Sequence, residues 1–492
     1  MKQHKKRPEV CLINPPLDKK TSSKFPMSGV PLGIACLAAY LREKNIPSQV
    51  IDAPIMGYNI PQTAINAIKS GAKIIGISCL TENRYAALKT LKEIKKIRPQ
   101  IITIIGGLHA TFSDESILKN YPFVDIVVRG EGEKTLYELV KEFQKKNPNL
   151  KKIDGISYKE DKKIIVNQPR AFMSEIESLP YPAYDLFPMK RYPLPPDVKI
   201  KINQTAQVTT SRGCPMGCKF CETTHAWGKN IRSTSAKKLF EIIEHLYKTY
   251  GIDYIRFADD LFTMRRSKVM EFCELLIESK LPIKFRIQAR VDTVDLEELN
   301  LLKKAGCDLV EYGAESGSNK VLEAVGKNIT IQKIKKAVDI TRQAGIEVKY
   351  FLIVGSLEET PKETWETFEL IKNTRPDWIG INPLTIYPGT AVYEIATKQN
   401  LVNEDIWLKY INPKTGNSPL YNKNYSDKEL IFLAQLGHVW GCRNSPKREE
   451  YPFIEKVLAK ILNEKFAKIL VKNKLIRKIS ANIAWVFSDL LQ

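Results

Sequence analysis

The chain has 492 residues, of which 43% are hydrophobic and 27% are charged, and this composition excludes a disordered or collagen-like protein. Its longest uncharged apolar runs, such as 101–108, fall far below the roughly 18 residues that a membrane span requires. The 76 basic and 55 acidic residues leave a net charge of +21, which fits an anionic partner or a solvated, Lys-rich surface. The basic start, 1–7, leads into a strand-like run and not a signal-peptide core, so we expect a cytoplasmic protein.

Residues 1–146 alternate between strand-like and helical segments and are predicted to form the first domain. Such a rhythm predicts a parallel sheet covered by helices on both faces, which is a doubly wound, Rossmann-like α/β fold. The ligand of such a sheet lies beyond the carboxyl ends of its strands. The strands are expected at 9–14, 49–52, 73–78, 101–105 and 124–129, and the helices at 31–43, 61–70, 82–97 and 134–144.

Residues 147–205 combine a hairpin-like stretch at 153–166 with a run of prolines, which predicts a linker between domains. A second series of strands and helices follows in 206–395. Six such units fit a partial, six-stranded (β/α)6 TIM-type barrel, which places its chemistry in the loops after the strands. Its strands are expected near 206–210, 252–258, 283–289, 307–313, 346–354 and 377–386.

The last segment, 396–492, is predicted to be mostly helical. Apolar residues between 454 and 470 follow helical spacing. Residues 453–478 contain eight Lys or Arg and two Glu, a balance of +6. The segment is predicted either to pack on the barrel with its lysines in water or to lie on an anionic membrane. No nucleic-acid-binding module is evident, so nucleic acid is not expected as a partner.

Three of the nine cysteines stand within eight residues, directly after the first predicted strand of the barrel. The sequence is Ser211-Arg-Gly-Cys214-Pro-Met-Gly-Cys218-Lys-Phe-Cys221, a C-x3-C-x2-C spacing. Zinc sites usually take four ligands, commonly in two separated pairs, which this loop does not supply. A cubane iron–sulfur cluster held by three thiolates leaves one iron free for a substrate or cosubstrate. The other six cysteines are dispersed, which indicates a reducing compartment.

The cysteine triplet followed by six strand–helix units resembles the radical S-adenosylmethionine superfamily. The resemblance implies a four-iron four-sulfur cluster on Cys214, Cys218 and Cys221, whose open iron chelates the amino and carboxylate groups of S-adenosylmethionine. One electron, from a donor such as flavodoxin or ferredoxin, would cleave S-adenosylmethionine to methionine and a 5′-deoxyadenosyl radical that abstracts a hydrogen atom.

The same resemblance assigns S-adenosylmethionine contacts to residues near the cluster and after the barrel strands. Phe220 matches the aromatic residue that contacts adenine, and Asp259 follows the strand at which the family positions the methionine amino group. The remaining matching positions are Arg290, Glu315, Ser316 and Gly355.

The order of the domains resembles radical S-adenosylmethionine enzymes with an N-terminal cobalamin-binding domain. Such domains often carry Asp-x-His-x-x-Gly after strand one, Ser-x-Leu after strand three and Gly-Gly after strand four. Here Asn14-Pro-Pro-Leu-Asp18 has no histidine, whereas Ser78-Cys79-Leu80 and Gly106-Gly107 match. The resemblance implies cobalamin contacts at Ser78, Leu80, Gly106, Gly107, Gly130 and Glu131.

The missing histidine agrees with the methylating members of this class, because a cobalt ion without an imidazole ligand is easier to hold as cobalt(I). The resemblance therefore implies methylation of an unactivated carbon, with a second S-adenosylmethionine recharging the cobalt. His109 is interpreted as a hydrogen-bonded residue near the cofactor tail and not as a cobalt ligand. A small-molecule or lipid substrate is expected, and the basic C-terminal segment suggests peripheral contact with the inner face of a membrane.

Three alternatives stay open. Relatives in the same family close rings or form C–C bonds on lipids or tetrapyrroles, with or without methyl transfer. Methylthiotransferases join a similar α/β domain to a radical barrel and hold a second cluster, here on Cys11, Cys36 and Cys79. The second cluster is disfavoured because single buried cysteines are commonly small core residues. A basic nucleic-acid-binding protein with a structural cluster would require salt-dependent binding.

Overall fold

The computed structural model describes residues 7–17, 29–194, 198, 201–403, 406–407, 418–421 and 423–490. The N-terminal part contains a seven-stranded sheet in the order β2-β1-β3-β4-β5-β6-β7. Its strands are β1 (Val10–Asn14), β2 (Ser48–Asp52), β3 (Ile74–Ser78), β4 (Ile102–Gly106), β5 (Ile126–Val128), β6 (Ile156–Glu160) and β7 (Lys163–Val166). Its helices are α1 (Leu32–Glu43), α2 (Ala53–Met56), α3 (Ile60–Lys69), α4 (Arg84–Ile97), α5 (Leu108–Phe112), α6 (Asp114–Asn120) and α7 (Gly132–Phe143).

Strands β1 to β5 are parallel, and their side chains enter two separate cores. In β1, Val10 and Leu12 join the core on one face of the sheet, while Cys11 and Ile13 join the core on the other. A strand that is buried on both faces needs apolar residues at successive positions, which explains the continuous apolar runs in the sequence. The predicted doubly wound parallel sheet is confirmed.

The hairpin expected within the linker belongs to this sheet. Strand β6 pairs antiparallel with β5, and β7 pairs antiparallel with β6. Ile156 and Tyr158 alternate on β6 and are buried, so the hairpin covers the edge that the short strand β5 would otherwise expose. Farther along, the Tyr184 hydroxyl donates to the Gln207 carbonyl at 2.7 Å, which fastens the remaining connection to the barrel.

The second sheet has six parallel strands in the order β15-β14-β13-β12-β11-β8, the partial barrel that the sequence predicts. Its strands are β8 (Thr205–Val208), β11 (Tyr254–Phe257), β12 (Lys284–Ala289), β13 (Cys307–Glu315), β14 (Glu347–Val354) and β15 (Trp378–Pro383), and a small ladder joins β9 (Ser211–Arg212) to β10 (Arg232–Ser233). The helices are α8 (Thr223–Trp227), α9 (Ala236–Tyr250), α10 (Arg266–Ser279), α11 (Leu296–Ala305), α12 (Asn319–Ala324), α13 (Ile331–Gln343), α14 (Pro361–Thr374) and α15 (Ala391–Lys398).

The C-terminal region is helical, as predicted. It consists of α16 (Asp427–Asn444), α17 (Phe453–Ile461), α18 (Glu464–Lys472) and α19 (Lys474–Leu490). Helix α16 packs on β15 and on α14, and it carries α17 and α19, while α18 packs on α14. Among the residues that the structure describes, no helix is both long enough and apolar enough to cross a bilayer.

Candidate active site between the two sheets

The three clustered cysteines lie on one tight loop, 213–222, which follows β9 and is called the cysteine loop below. The loop is fixed at both ends by backbone hydrogen bonds. The Cys214 amide donates to the Gly228 carbonyl at 3.0 Å, and Lys219 donates to Val325 at 2.9 Å and accepts from Val392 at 3.0 Å. These bonds hold the loop against the ends of α12 and α15.

Gly213 makes the start of this loop sterically feasible. Its φ of +98° lies in the left-handed region, and a β-carbon there would stand 2.3 Å from the Asn230 carbonyl oxygen. An amino acid with a side chain would be strained at this angle and would clash with that oxygen, so the position requires glycine. The turn into the cysteine loop therefore depends on this glycine.

The three thiols fit an iron–sulfur cluster better than a single metal ion. All three are unpaired and partly exposed, and the Thr223 amide donates to the Cys221 sulfur at 3.4 Å. Within the described part of the chain, no three His, Cys, Asp or Glu side chains gather closely enough to hold one ion. A tetrahedral zinc site would require sulfurs about 3.8 Å apart, whereas a cubane spreads its ligands because each thiolate binds a different iron.

Arg290, directly after β12, presents an unused donor beside the cysteine loop. Its Nε and Nη2 donate to the Asp292 carboxylate at 2.8 and 3.1 Å, and Nη2 also donates to the Lys327 carbonyl at 3.0 Å. Its Nη1 is buried and has no hydrogen-bond partner among the described residues. Burial raises the pKa of the Cys218 thiol, and the positive charges of Lys327 and Arg290 partly offset that rise. An incoming carboxylate would satisfy Nη1 with a charge-assisted hydrogen bond.

Glu315 is the last residue of β13 and Ser316 follows it, but the two side chains have different surroundings. Glu315 has a φ of +60°, and its carboxylate accepts from Lys327 Nζ at 2.7 Å. Ser316 is fully buried; its hydroxyl lies 3.3 Å from that of Thr367 and accepts from the Ser318 amide at 3.1 Å. Glu315 therefore belongs to the charged group around Cys218, whereas Ser316 is engaged inside the fold.

Two adjacent carboxylates follow β11, and only the second is open to solvent. Asp259 is buried and accepts from the Thr210 amide at 3.0 Å and from the Thr210 and Ser211 hydroxyls, so it fastens the end of β8. Asp260 is exposed and accepts from the Thr223 hydroxyl at 3.3 Å. Of the two, Asp260 has the carboxylate available beside the cysteine loop.

The two remaining predicted S-adenosylmethionine contacts, Phe220 on the cysteine loop and Gly355 after β14, are packed by protein. Phe220 is partly buried against a small apolar cluster that includes Val325 and Ile386. Gly355 follows β14, where a β-carbon would stand 2.2 Å from a methyl group of Leu430 on α16. The contacts of Phe220, Asp259, Arg290, Glu315, Ser316 and Gly355 with S-adenosylmethionine stay predictions.

On the N-terminal sheet, most of the predicted cobalamin contacts share the carboxyl edge, which is called the ligand edge below. Ser78 and Gly106 end neighbouring strands, and Leu80 extends from the edge with 41% of its surface exposed. Gly107 has a φ of +104°, and a β-carbon there would stand 2.7 Å from the Cys79 carbonyl. Nothing lies within 4 Å of the β-carbon position of Gly130, so this part of the edge has room for a bulky cofactor tail.

Glu131 is engaged elsewhere, in a buried ion-pair group that joins the two sheets. Its carboxylate lies 3.2 Å from Arg212 Nη1 and 2.6 Å from Arg232 Nη1, and it accepts from the Met173 amide at 2.7 Å. Arg212 also pairs with Glu133 at 2.5 Å. Both arginines lie on the short ladder that flanks the cysteine loop, so Glu131 ties the ligand edge to the start of that loop.

Other contacts confirm that the ligand edge faces the mouth of the barrel. The Tyr387 hydroxyl, after β15, donates to the Glu82 carboxylate, after β3, at 2.7 Å. The rings of His109 and Trp407 meet edge to face, with centroids 5.4 Å apart. Ligands held at the two carboxyl edges would therefore face one another.

His109 is held as a neutral, buried group. Its Nδ1 lies 3.1 Å from the Thr81 hydroxyl, and burial, with a smaller contribution from the nearby Arg84 charge, lowers its pKa to about 3. The structure therefore gives this ring a hydrogen-bonding partner and a packing partner at the base of the ligand edge.

We expect His109 to make stability depend on pH. Because the imidazole pKa is about 6.5 in an unfolded chain, its stabilising contribution is complete above about pH 6.5. It is lost as the pH falls toward the folded pKa, at about 1.4 kcal/mol per pH unit. His109→Gln should flatten the decline in urea-unfolding free energy between about pH 6.5 and 5. An unchanged decline would contradict this assignment.

The three cysteines considered for a second cluster are not brought together. Cys11 and Cys79 are buried in the core on one face of the N-terminal sheet. Cys36 lies on α1, which packs on the opposite face. Because the sheet separates them, the placement of these thiols argues against a second cluster.

Known proteins resemble this chain over both parts of the site. Residues 208–371 match the radical SAM superfamily, and residues 20–140 match the B12 binding domain family. An uncharacterised methyltransferase of Pyrococcus horikoshii is 33% identical over 431 residues, which cover 88% of this chain and 92% of that protein. An anaerobic magnesium-protoporphyrin IX monomethyl ester cyclase of Rubrivivax gelatinosus is 28% identical and matches 74% of this chain and 66% of its own length.

Solved structures share the fold. The cobalamin-dependent S-adenosylmethionine radical enzyme OxsB, with aqua-cobalamin and S-adenosylmethionine bound, aligns with a TM-score of 0.73 at 20% identity and covers 99% of this chain and 76% of its own. The radical S-adenosylmethionine methyltransferase TsrM of Kitasatospora setae aligns with a TM-score of 0.64 at 17% identity, over 79% of this chain and 76% of its own.

The cysteine loop, the partial barrel and the ligand edge thus occur together in this chain as they do in a recognised class of enzymes. The cofactors of this chain are a four-iron four-sulfur cluster, S-adenosylmethionine and cobalamin. With both domain families matched and a relative of 33% identity matched over 92% of its length, the chain belongs to the family of cobalamin-binding radical S-adenosylmethionine enzymes.

Proposed function

We propose that the protein is a methyltransferase that transfers a methyl group to an unactivated carbon of a small-molecule or lipid substrate. The observation that carries this proposal is the opposition of the two carboxyl edges, spanned by the 2.7 Å hydrogen bond from Tyr387 to Glu82. A substrate between the edges would have a hydrogen-abstracting group on one side and a methyl donor on the other. The methyltransferase of Pyrococcus horikoshii supports the same reaction class.

The cysteine loop would hold the cluster through Cys214, Cys218 and Cys221. When bound, the cluster and S-adenosylmethionine supply a carbon radical, and cobalamin supplies the methyl group. The loop keeps one side against α12 and α15 through its backbone hydrogen bonds, and its three thiols are free and partly exposed. An electron donor of the flavodoxin or ferredoxin class would supply the electron.

The charged group beside Cys218 would bind the methionine end of S-adenosylmethionine. The buried, unpartnered Nη1 of Arg290 would donate to its carboxylate, while Asp292 keeps the guanidinium oriented. The exposed carboxylate of Asp260, beside the cysteine loop, would accept from the amino group. Lys327 holds Glu315 at 2.7 Å and so fixes the wall of this subsite.

The ligand edge would accept cobalamin without an imidazole ligand to cobalt. After β1, the Asn14 side chain donates to Asp52 at 2.8 Å, and residues 14–18 contain no histidine. His109, the histidine on this edge, is buried against Thr81 and Trp407. Ser78, Leu80 and Gly130 would line the space for the cofactor tail.

We expect Arg290→Gln to raise the S-adenosylmethionine concentration that half-saturates 5′-deoxyadenosine release. The lost charge-assisted hydrogen bond corresponds to about a tenfold to hundredfold increase. Arg266→Gln is the matched control. Like Arg290, Arg266 is an arginine in ion pairs, here with Asp295 and Glu297, but it lies exposed on α10. Equal half-saturation in wild type and Arg290→Gln, at equal iron content, would contradict the assignment.

The reaction class is tested with S-adenosylmethionine carrying a trideuterated methyl group. The reduced enzyme is incubated with metabolite and lipid extracts, and products are examined by mass spectrometry. Methyl transfer adds a trideuterated methyl group to a compound. Ring closure, the activity named for the 28% identical cyclase, would instead remove hydrogen without adding label, and that result would replace the methyltransferase proposal.

A further inference from the structure

The C-terminal helices α17, α18 and α19 turn their large apolar side chains outward. Among the described residues, 17 large hydrophobic side chains are exposed, and ten of them lie between residues 453 and 483. The most exposed are Phe453, with 76% of its surface accessible, Leu475 with 69% and Ile461 with 68%. Patches of this kind on a folded protein mark sites of protein or membrane contact.

These side chains form stripes along the helices. On α17, Phe453, Val457 and Ile461 are four residues apart, and on α19 Leu475, Ile479 and Ile483 repeat the same spacing. Residues at that spacing share one face of a helix. The two faces are therefore continuous apolar surfaces and not scattered exposed residues.

Three of the six buried residues that the structure describes on these helices are alanines. Ala459, Ala467 and Ala481 are buried against the protein, and α18 also buries Leu470 and Val471. Ordinary surface helices bury their large apolar residues and expose polar ones. Here ten large apolar side chains are exposed as well, so packing on α14 and α16 does not account for them.

The charges around these stripes are almost all positive. Exposed lysines follow the apolar residues along all three helices, among them Lys460, Lys465, Lys474 and Lys478. Glu464 is the exposed carboxylate among the described residues of 453–483, and Lys372 on α14 neutralises it at 2.7 Å. Arg477 is buried and paired with Glu429, so the outward charge comes from lysine.

We propose that α17, α18 and α19 form a docking surface for an anionic phospholipid bilayer. Apolar side chains would enter the boundary between headgroups and acyl chains, while the lysines contact the phosphates, as interfacial helices do. A second copy of the chain fits less well, because it would place lysines opposite lysines. Since α16 carries α17 and α19 and packs on β15, the docking surface is attached firmly to the barrel.

The test is flotation of the reconstituted holoenzyme with vesicles of phosphatidylcholine alone or mixed with phosphatidylglycerol. We expect binding to the anionic vesicles. The quadruple variant Ile454→Ser, Ile461→Ser, Leu475→Ser and Ile479→Ser should lower the bound fraction at limiting lipid at least about tenfold. The triple variant Lys460→Gln, Lys474→Gln and Lys478→Gln should weaken binding to anionic vesicles and reduce its salt dependence.

The matched control is Ile65→Ser with Ile97→Ser, which removes two side chains of 43% and 49% exposure from the N-terminal helices. This control should bind vesicles as the wild type does. Failure of the wild type to float with anionic vesicles, or equal losses in the control and the quadruple variant, would overturn the proposal. So would light scattering that shows a wild-type dimer which the quadruple variant dissociates.

Release of 5′-deoxyadenosine in lipid-free buffer separates this inference from the proposed reaction. The quadruple variant should keep its iron, its cobalamin and that release, because its substitutions lie outside the cysteine loop and the ligand edge. Vesicle binding without methyl transfer would support the docking surface and contradict the methyltransferase proposal. Methyl transfer without vesicle binding would support the methyltransferase proposal and contradict the docking surface.

Discussion

Replacement of Cys214, Cys218 or Cys221 with alanine is expected to abolish release of 5′-deoxyadenosine from the anaerobically reduced protein. With two thiolates, the cysteine loop lacks the third ligand that a cubane with one open iron requires. Each variant should also contain far less iron after reconstitution than the wild type. The measurement is chromatography of the nucleoside products together with iron analysis.

The matched control is Cys36→Ala, which removes a free thiol on α1, a helix that packs on the N-terminal sheet. This variant should keep the iron content and the nucleoside release of the wild type. If Cys36→Ala removes iron as effectively as Cys214→Ala, the second-cluster interpretation gains support. Undiminished release from any of the three loop variants would contradict the assignment of the cluster ligands.

Glu131→Ala is expected to destabilise the protein by about 3–5 kcal/mol, because it leaves the largely buried guanidinium groups of Arg212 and Arg232 without their shared carboxylate. Glu131 is 5% exposed and touches both arginines. Glu133 still pairs with Arg212, so Arg232 should account for most of the loss. The measurement is the free energy of unfolding in urea, with the cobalamin content followed in parallel.

Glu160→Ala is the control for that experiment, since Glu160 pairs with Lys151 on the surface and exposed pairs contribute about 0–1 kcal/mol. The two variants together also test the cobalamin contact that the sequence assigns to Glu131. Loss of cobalamin from Glu131→Ala with unchanged unfolding would favour a direct contact over the ion-pair role.

Several parts of the architecture are readable from the sequence because they depend on local patterns. Strands buried on both faces, such as β1 and β3, require unbroken apolar runs. These runs identify the strands in the sequence. The hairpin β6–β7 is visible as a hairpin, but its membership in the N-terminal sheet is not. That membership depends on the short strand β5, whose exposed edge appears only when the sheet is assembled.

The site residues also fall into those that a local sequence pattern identifies and those that only the fold identifies. The cysteine loop is local, so its spacing alone indicates its chemistry, and the position of Arg290 after a barrel strand leads to the residue with the unused donor. Between Asp259 and Asp260 the sequence offers no distinction, because the choice depends on Thr210 and Ser211, which belong to the preceding strand and its loop. The sequence also gives no signal for Lys327, which reaches Glu315 only through the fold.

Glu131 shows why partners across domains escape sequence analysis. A Gly-Glu-Gly-Glu run after β5 fits a cofactor loop equally well whether its carboxylates face the cofactor or another domain. The arginines that engage it, Arg212 and Arg232, are 81 and 101 residues away along the chain. Only the mutual placement of the two sheets decides between the two roles.

The central claim is that cobalamin on the ligand edge and a radical cluster on the cysteine loop act together to transfer a methyl group. The direct measurement is quantification of S-adenosylhomocysteine and 5′-deoxyadenosine from the reduced holoenzyme supplied with S-adenosylmethionine. We predict both products, with S-adenosylhomocysteine formed only by protein that contains cobalamin. Release of 5′-deoxyadenosine with no S-adenosylhomocysteine at full cobalamin occupancy would contradict the account.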